Sequence, residues 1–248
     1  MGFGVLRSNP MRLTPNPMLK KNIPNAITCA NLLSGCIGIV FAFKGNLETA
    51  AYFVILSGIF DFFDGMVARL LNVKSAIGKD LDSLADMVSF GFLPGVIMFH
   101  LLKASDYSSE YLPYFGFIIT VFSALRLAKF NNDTRQTEDF IGLNTPMNTL
   151  FICSLPFIAN DYPQIIASSM LLIAITAVTS FLLVSEIKIF SLKFSNLSWA
   201  KNKIKFIFLI LSAVLIAFLK FAAIPFVLVL YIALSFLHFK GATPSKLP

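Results

Sequence analysis

Residues 61–86 read DFFDGMVARLLNVKSAIGKDLDSLAD and set four carboxylates, Asp61, Asp64, Asp82 and Asp86, within an otherwise apolar chain. Asp61 and Asp64 are three positions apart and Asp82 and Asp86 four, so each pair shares one face of a helix. The connection between the pairs, residues 71–79, is short, which makes the two helices antiparallel neighbours and lets the pairs converge. An acidic side chain at the centre of a membrane helix costs about 2.5–3.5 kcal/mol on insertion scales. Four at one depth therefore predict a shared ligand near one membrane surface, and this helix pair anchors the rest of the fold.

On either side the chain is strongly apolar. Of its 248 residues, 56% are hydrophobic and 13% charged, and the mean hydropathy is +0.77; soluble domains carry about 25% charge. Several runs of about 20 apolar residues can cross a hydrocarbon core about 30 Å thick, and none alternates like a barrel strand. The expectation is an all-α polytopic membrane protein with about eight transmembrane helices around a cytoplasm-facing two-metal site. The helices are expected at residues 25–43, 49–70, 80–102, 111–130, 145–160, 164–185, 204–220 and 222–239. Along the chain this gives a basic juxtamembrane segment at 1–22, catalytic helices at 23–160 and further transmembrane helices of the same domain at 161–248. Residues 1–21 are basic with no following apolar core or cleavage site, so no signal peptide is expected.

Charge sets the orientation. With the N-terminus inside, every lysine and arginine except Lys44, Lys103 and Lys220 falls on the inner side. That bias predicts an integral protein of the inner membrane with both termini and the acidic site cytoplasmic. The net charge of +7 is then attraction to an anionic lipid surface rather than to nucleic acid. Residues 17–23 and 186–205 mix apolar side chains with lysines, as amphipathic helices lying on the inner leaflet or as plain basic loops. Cys29, Cys36 and Cys153 have no metal-ligand spacing and are expected to be buried free thiols.

Clustered carboxylates at one depth suit hard divalent cations, which take oxygen ligands and share them with substrate phosphates. Four of them suit a pair of ions gripping a diphosphate. Gly65 costs a helix about 1 kcal/mol relative to alanine, which calls for close approach by a ligand or a neighbouring helix. Arg69 lies two turns beyond Asp61, placed to meet phosphate oxygens. Gly78 turns the connection before the third helix, and Ser75 is a candidate phosphate donor. Helix capping alone would explain Asp80 and Asp82 but not Asp61 and Asp64. A cation transporter is the alternative of another class, although its site would sit nearer the bilayer midplane.

The order Asp61, Asp64, Gly65, Ala68, Arg69, Gly78, Asp82, Asp86 resembles the signature of the CDP-alcohol phosphatidyltransferase family. The resemblance implies metal ligation by Asp61, Asp64, Asp82 and Asp86, with Asp86 also the general base, and a divalent cofactor, Mg or Mn, in two ions. It implies contacts to a CDP-linked lipid from Gly65, Arg69, Ser75 and Gly78. Asn25, Thr28 and Asn31 look like the family's first-helix motif, whose polar side chains face the nucleotide. Residues 82–91, 124–131 and 140–146 are similar to the family's serine-using branch, although Asn144, Met147 and Asn148 depart from its pattern. The implied reaction joins CDP-diacylglycerol and L-serine to give phosphatidylserine and CMP; glycerol 3-phosphate or inositol is the alternative acceptor. A carboxylate-bearing acceptor needs a cation, for which Arg126 is the candidate, and its ammonium needs oxygens, for which Ser89, Asn131 and Thr145 are candidates. A homodimer in the lipid bilayer is implied by the resemblance alone.

Overall fold

The computed structural model describes residues 17–73, 75–107, 109–133, 139–192 and 198–241. Of the basic residues in the charge bias, Arg7, Arg12, Lys74, Arg135, Lys193 and Lys246 lie outside them, as does the proposed N-terminal segment up to residue 16.

Helix α1 (Pro17–Phe43) runs against α2 (Leu47–Leu70), joined by a tight turn in which Asn46 caps α2 by accepting from the Thr49 N–H at 3.1 Å. A short connection then leads to α3 (Ala76–Asp86), where Ser75 is the N-cap and accepts from the Gly78 N–H at 2.8 Å. A π-helical turn, Met87–Phe92, carries α3 into α4 (Leu93–Lys103) without a break, so 76–103 is one rod. The remaining helices are α5 (Ile118–Asn132), α6 (Thr145–Asp161), the single turn α7 (Pro163–Ile166), α8 (Ser169–Val184), α9 (Trp199–Leu219) and α10 (Ala223–Gly241).

Helix covers each of the eight expected ranges, with 164–185 broken into α7 and α8, and the all-α polytopic fold stands. Among the described residues five stretches are long and apolar enough to cross a membrane: Asn22–Phe43, Leu47–Leu70, Ala76–Lys103, Leu112–Asn132 and Asn202–Lys240, the last interrupted at Lys220–Ala222. Helices α6 and α8 are shorter, with 17 and 16 residues. The rod 76–103 is the centre of the bundle: 61% of its apolar stretch is buried, against 17% for Asn202–Lys240. Phe90, Leu93, Ile97, Met98 and Leu102 pack there with Ile152 and Leu155 of α6.

Two expectations are corrected. Cys29 and Cys36 are exposed on the outer side of α1, and only Cys153 is buried. The 186–205 segment is neither a single helix nor a plain loop. It opens with strand β2 (Lys188–Ile189), which pairs antiparallel with β1 (Phe140–Ile141), and its last described part starts α9; residues 193–197 lie outside the described chain. Backbone hydrogen bonding to a strand 47 positions away leaves no local sequence signal.

Candidate active site

The α2 end and the α3 start bring Asp61, Asp64 and Asp82 together, with one oxygen of each within 4.8 Å of the others. Asp86 lies one turn beyond Asp82 on the same helix and lines the same cavity. Helix α1 supplies the support. The Thr28 hydroxyl donates to Asp64 Oδ2 at 2.7 Å, and Asn31 Nδ2 approaches Asp86 Oδ1 at 3.4 Å. Thr28 and Asn31 are themselves buried, so each fixes one carboxylate rotamer from behind.

These aspartates form one wall of a cavity of about 1240 Å³. Pro24, Asn25 and Thr28 of α1, Gly65, Ala68 and Arg69 of α2, and Ser75, Gly78 and Lys79 around the α3 start complete that side. Arg69 folds back over Gly65: a Cβ there would lie 3.4 Å from its Nη1. Gly78 allows α3 to approach α1, since a Cβ at 78 would lie 3.0 Å from Asn25 Oδ1 and 2.9 Å from Ser75 Oγ. Packing is therefore tight at Gly78, whereas a Cβ at Gly65 would make only ordinary contact with Arg69.

The opposite side comes from α5, β1 and the α6 start: Arg126, Phe130, Phe140, Asn144, Thr145 and Pro146. Arg126 is 7% exposed, stacks its guanidinium 4.8 Å from the Phe130 ring centre, and makes no ion pair among the described residues. Asn144 caps α6 by accepting from the Met147 N–H at 2.8 Å. Gly142, with φ of +76°, turns the chain into that cap where a Cβ would lie 2.7 Å from the Leu183 carbonyl. Thr145 lines the cavity, but its Oγ1 is buried without a partner.

Three sequence candidates lie outside the cavity lining: Asn31, buried behind Asp86 rather than facing the cavity, and two from the acceptor side. Ser89 is fully buried in the π turn and donates to the Asn31 carbonyl at 3.2 Å. Asn131 donates to Ser83 Oγ at 2.8 Å, and its carbonyl accepts from Lys79 Nζ at 3.1 Å, which ties α5 to α3 outside the cavity lining. Lys129 is drawn away as well, paired with Glu186 and donating to the Val184 carbonyl at 3.3 Å. Sequence reading missed Lys79, Asn72, Phe130, Phe140 and Asn144 as lining residues. Lys79 was open to discovery, because it directly follows Gly78 in the signature.

The family profile of CDP-alcohol phosphatidyltransferases matches residues 21–182. A CDP-diacylglycerol–serine O-phosphatidyltransferase of Bacillus subtilis (strain 168) is 33% identical over 171 residues, covering 67% of this chain and 88% of its own. One of Helicobacter pylori (strain J99) is 33% identical over 149 residues, covering 56% of this chain and 59% of its own. An archaetidylserine synthase of Methanothermobacter thermautotrophicus is 29% identical over 168 residues, covering 67% and 68%. The matched span runs from the α1 side chains that hold the carboxylates to the end of α8, and so takes in every wall of the cavity; the chain belongs to the CDP-alcohol phosphatidyltransferase family and is a transferase.

Proposed function

We propose that the protein is a CDP-diacylglycerol:L-serine O-phosphatidyltransferase, releasing phosphatidylserine and CMP at the cytoplasmic face of the inner membrane. The observation that carries this reading is a cavity with a wall of aspartates opposite the buried Arg126 guanidinium, which makes no ion pair among the described residues. The serine acceptor is further supported by the names of the bacterial relatives. The cytoplasmic placement is supported by the basic residues at the cavity end of the bundle, and a homodimer rests on family resemblance only.

The donor set fits hard divalent cations, being all oxygen with three ligand atoms within 4.8 Å. Asp61, Asp64 and Asp82 would hold two Mg or Mn ions, with Asp86 at the edge of the set. Bound there, such ions would neutralise the diphosphate and polarise the phosphorus under attack. The chain's own groups do the rest. Asn25, Arg69 and the Ser75–Gly78 turn receive the CDP-lipid. Arg126 pairs with the serine carboxylate and turns its hydroxyl towards the aspartates. Asp86, steadied by Asn31, accepts the hydroxyl proton while the serine oxygen bonds to the lipid-side phosphorus. The phosphorus–oxygen bond to CMP breaks, and CMP leaves with the electron pair.

The test is CMP release by purified protein from CDP-diacylglycerol with serine, glycerol 3-phosphate and inositol in parallel, with Mg²⁺ or Mn²⁺ and after chelation. Release with serine alone, abolished by chelation, is the expected result. Release with another acceptor but not serine overturns the acceptor; release that survives chelation overturns the metal site.

A further inference from the structure

Behind the acceptor wall of the cavity lie polar side chains that the reaction above does not use. Asn148 and Ser123 are fully buried, and neither the Asn148 amide oxygen and nitrogen nor the Ser123 hydroxyl has a hydrogen-bond partner; Thr145 Oγ1 is in the same condition. Their positions are systematic. Asn148 is three residues after Thr145, so it lies one turn deeper on the same face of α6. Ser123 is three residues before Arg126, one turn deeper on the same face of α5. Both helices touch the π turn at Phe90–Gly91. Thr149 Oγ1 donates to the Phe90 carbonyl at 2.7 Å, and a Cβ on Gly91 would lie 3.2 Å from Ser123 Cβ.

Buried polar groups are almost always paired, so unpaired polar side chains on α5 and α6, on the helix faces that carry the cavity residues Arg126 and Thr145, point to a guest. These groups are neutral and include no carboxylate, and Ser123 lies one helical turn from Arg126 along α5. They match the ammonium group of an amino-acid acceptor whose own carboxylate is held by Arg126. We propose that Asn148, with Thr145 and Ser123, forms an ammonium recess that determines selectivity for an amino-acid acceptor. This rests on the serine reading above, and it replaces Ser89 and Asn131 as ammonium ligands, since both are committed to other partners.

The decisive variants are Asn148→Leu and Asn148→Asp in the purified full-length protein, with melting temperature, serine KM and CDP-diacylglycerol KM measured for each. An unpaired buried amide is replaced by leucine at no cost or with a gain in stability, so a merely structural asparagine predicts a leucine variant at least as good as wild type in every respect. The recess predicts a split. Leucine keeps or raises the melting temperature while the serine KM rises about tenfold or more, with the CDP-diacylglycerol KM within about twofold of wild type. Aspartate, which restores an oxygen for the ammonium, outperforms leucine in serine KM. A serine KM unchanged in Asn148→Leu, or aspartate worse than leucine, overturns the recess; so does a parallel rise in both KM values. Should the leucine variant fail to fold, Ser123→Ala carries the same test with the same outcomes. Serine-independent CMP release by the wild type overturns the parent reading as well, and the wild-type arm alone reveals that case.

Discussion

Arg126 and Arg69 face the same cavity from opposite sides and differ in what surrounds them. Arg69 is exposed at the end of α2 beside Gly65, whereas Arg126 is buried against Phe130. A charge-assisted hydrogen bond contributes about 1.5–3 kcal/mol, so Arg126→Ala should lower serine efficiency roughly ten- to a hundredfold, chiefly through KM. Arg69→Ala should instead raise the KM for CDP-diacylglycerol. Steady-state kinetics with each substrate varied in turn checks both; a serine KM unchanged by Arg126→Ala places the carboxylate elsewhere. At this scale the acidic cluster was legible because its spacing alone brings the aspartates onto facing helix surfaces. The acceptor side was not, because a polar residue near the end of an apolar run looks the same whether it faces a cavity or, like Asn131, a neighbouring serine.

The contact between α1 and the π turn sets the depth of Asp86. A Cβ on Gly35 would lie 2.3 Å from Ser89 Oγ and 3.0 Å from Ser89 Cα, so α1 touches the turn's backbone. Here Asn31 receives hydroxyl hydrogen bonds on its carbonyl from both Ser57 and Ser89, each at 3.2 Å. One α1 residue thus links α2, the π turn and the Asp86 carboxylate. Gly35→Leu forces α1 and the turn apart, and a displacement of about 1 Å at reacting groups can cost a hundredfold in rate. The expected result is at least that loss in kcat together with a lower melting temperature. Gly58→Ala is the control, since a Cβ there meets only Phe90 Cζ at 4.0 Å, and should leave both near wild type. Equal behaviour of the two variants would remove the close approach as the cause. The π turn itself had no sequence signature, because a run such as Met87–Phe92 is also a good α-helix.

Across the whole molecule the described basic residues sort by end. Lys44, Lys103 and Lys220 sit with the turns at the far end of the bundle, where Asp106 accepts from the Ser169 N–H at 2.8 Å and holds its carboxyl below the usual range through that bond. Arg69, Lys79, Arg126, Lys129 and Lys188 gather at the cavity end. Single cysteines at Tyr107 and Leu192 in a cysteine-free background should therefore react with a membrane-impermeant thiol reagent from opposite sides, Leu192 from the cytoplasm. Labelling of both from one side would sink the orientation and the cytoplasmic site with it. The sequence by itself determined the membrane class, the all-α fold and the acidic pairs, because hydropathy and helical spacing are local properties of a chain. Only the tertiary structure decided what the last helices do. Tyr231 of α10 donates to the Phe190 carbonyl at 2.6 Å, the Ser191 N–H donates to Asp139 at 3.0 Å, and β2 pairs with β1, whose Phe140 lines the cavity. These bonds join residues 41 to 52 positions apart, and pairing at such range depends on how the bundle closes rather than on any pattern within a segment.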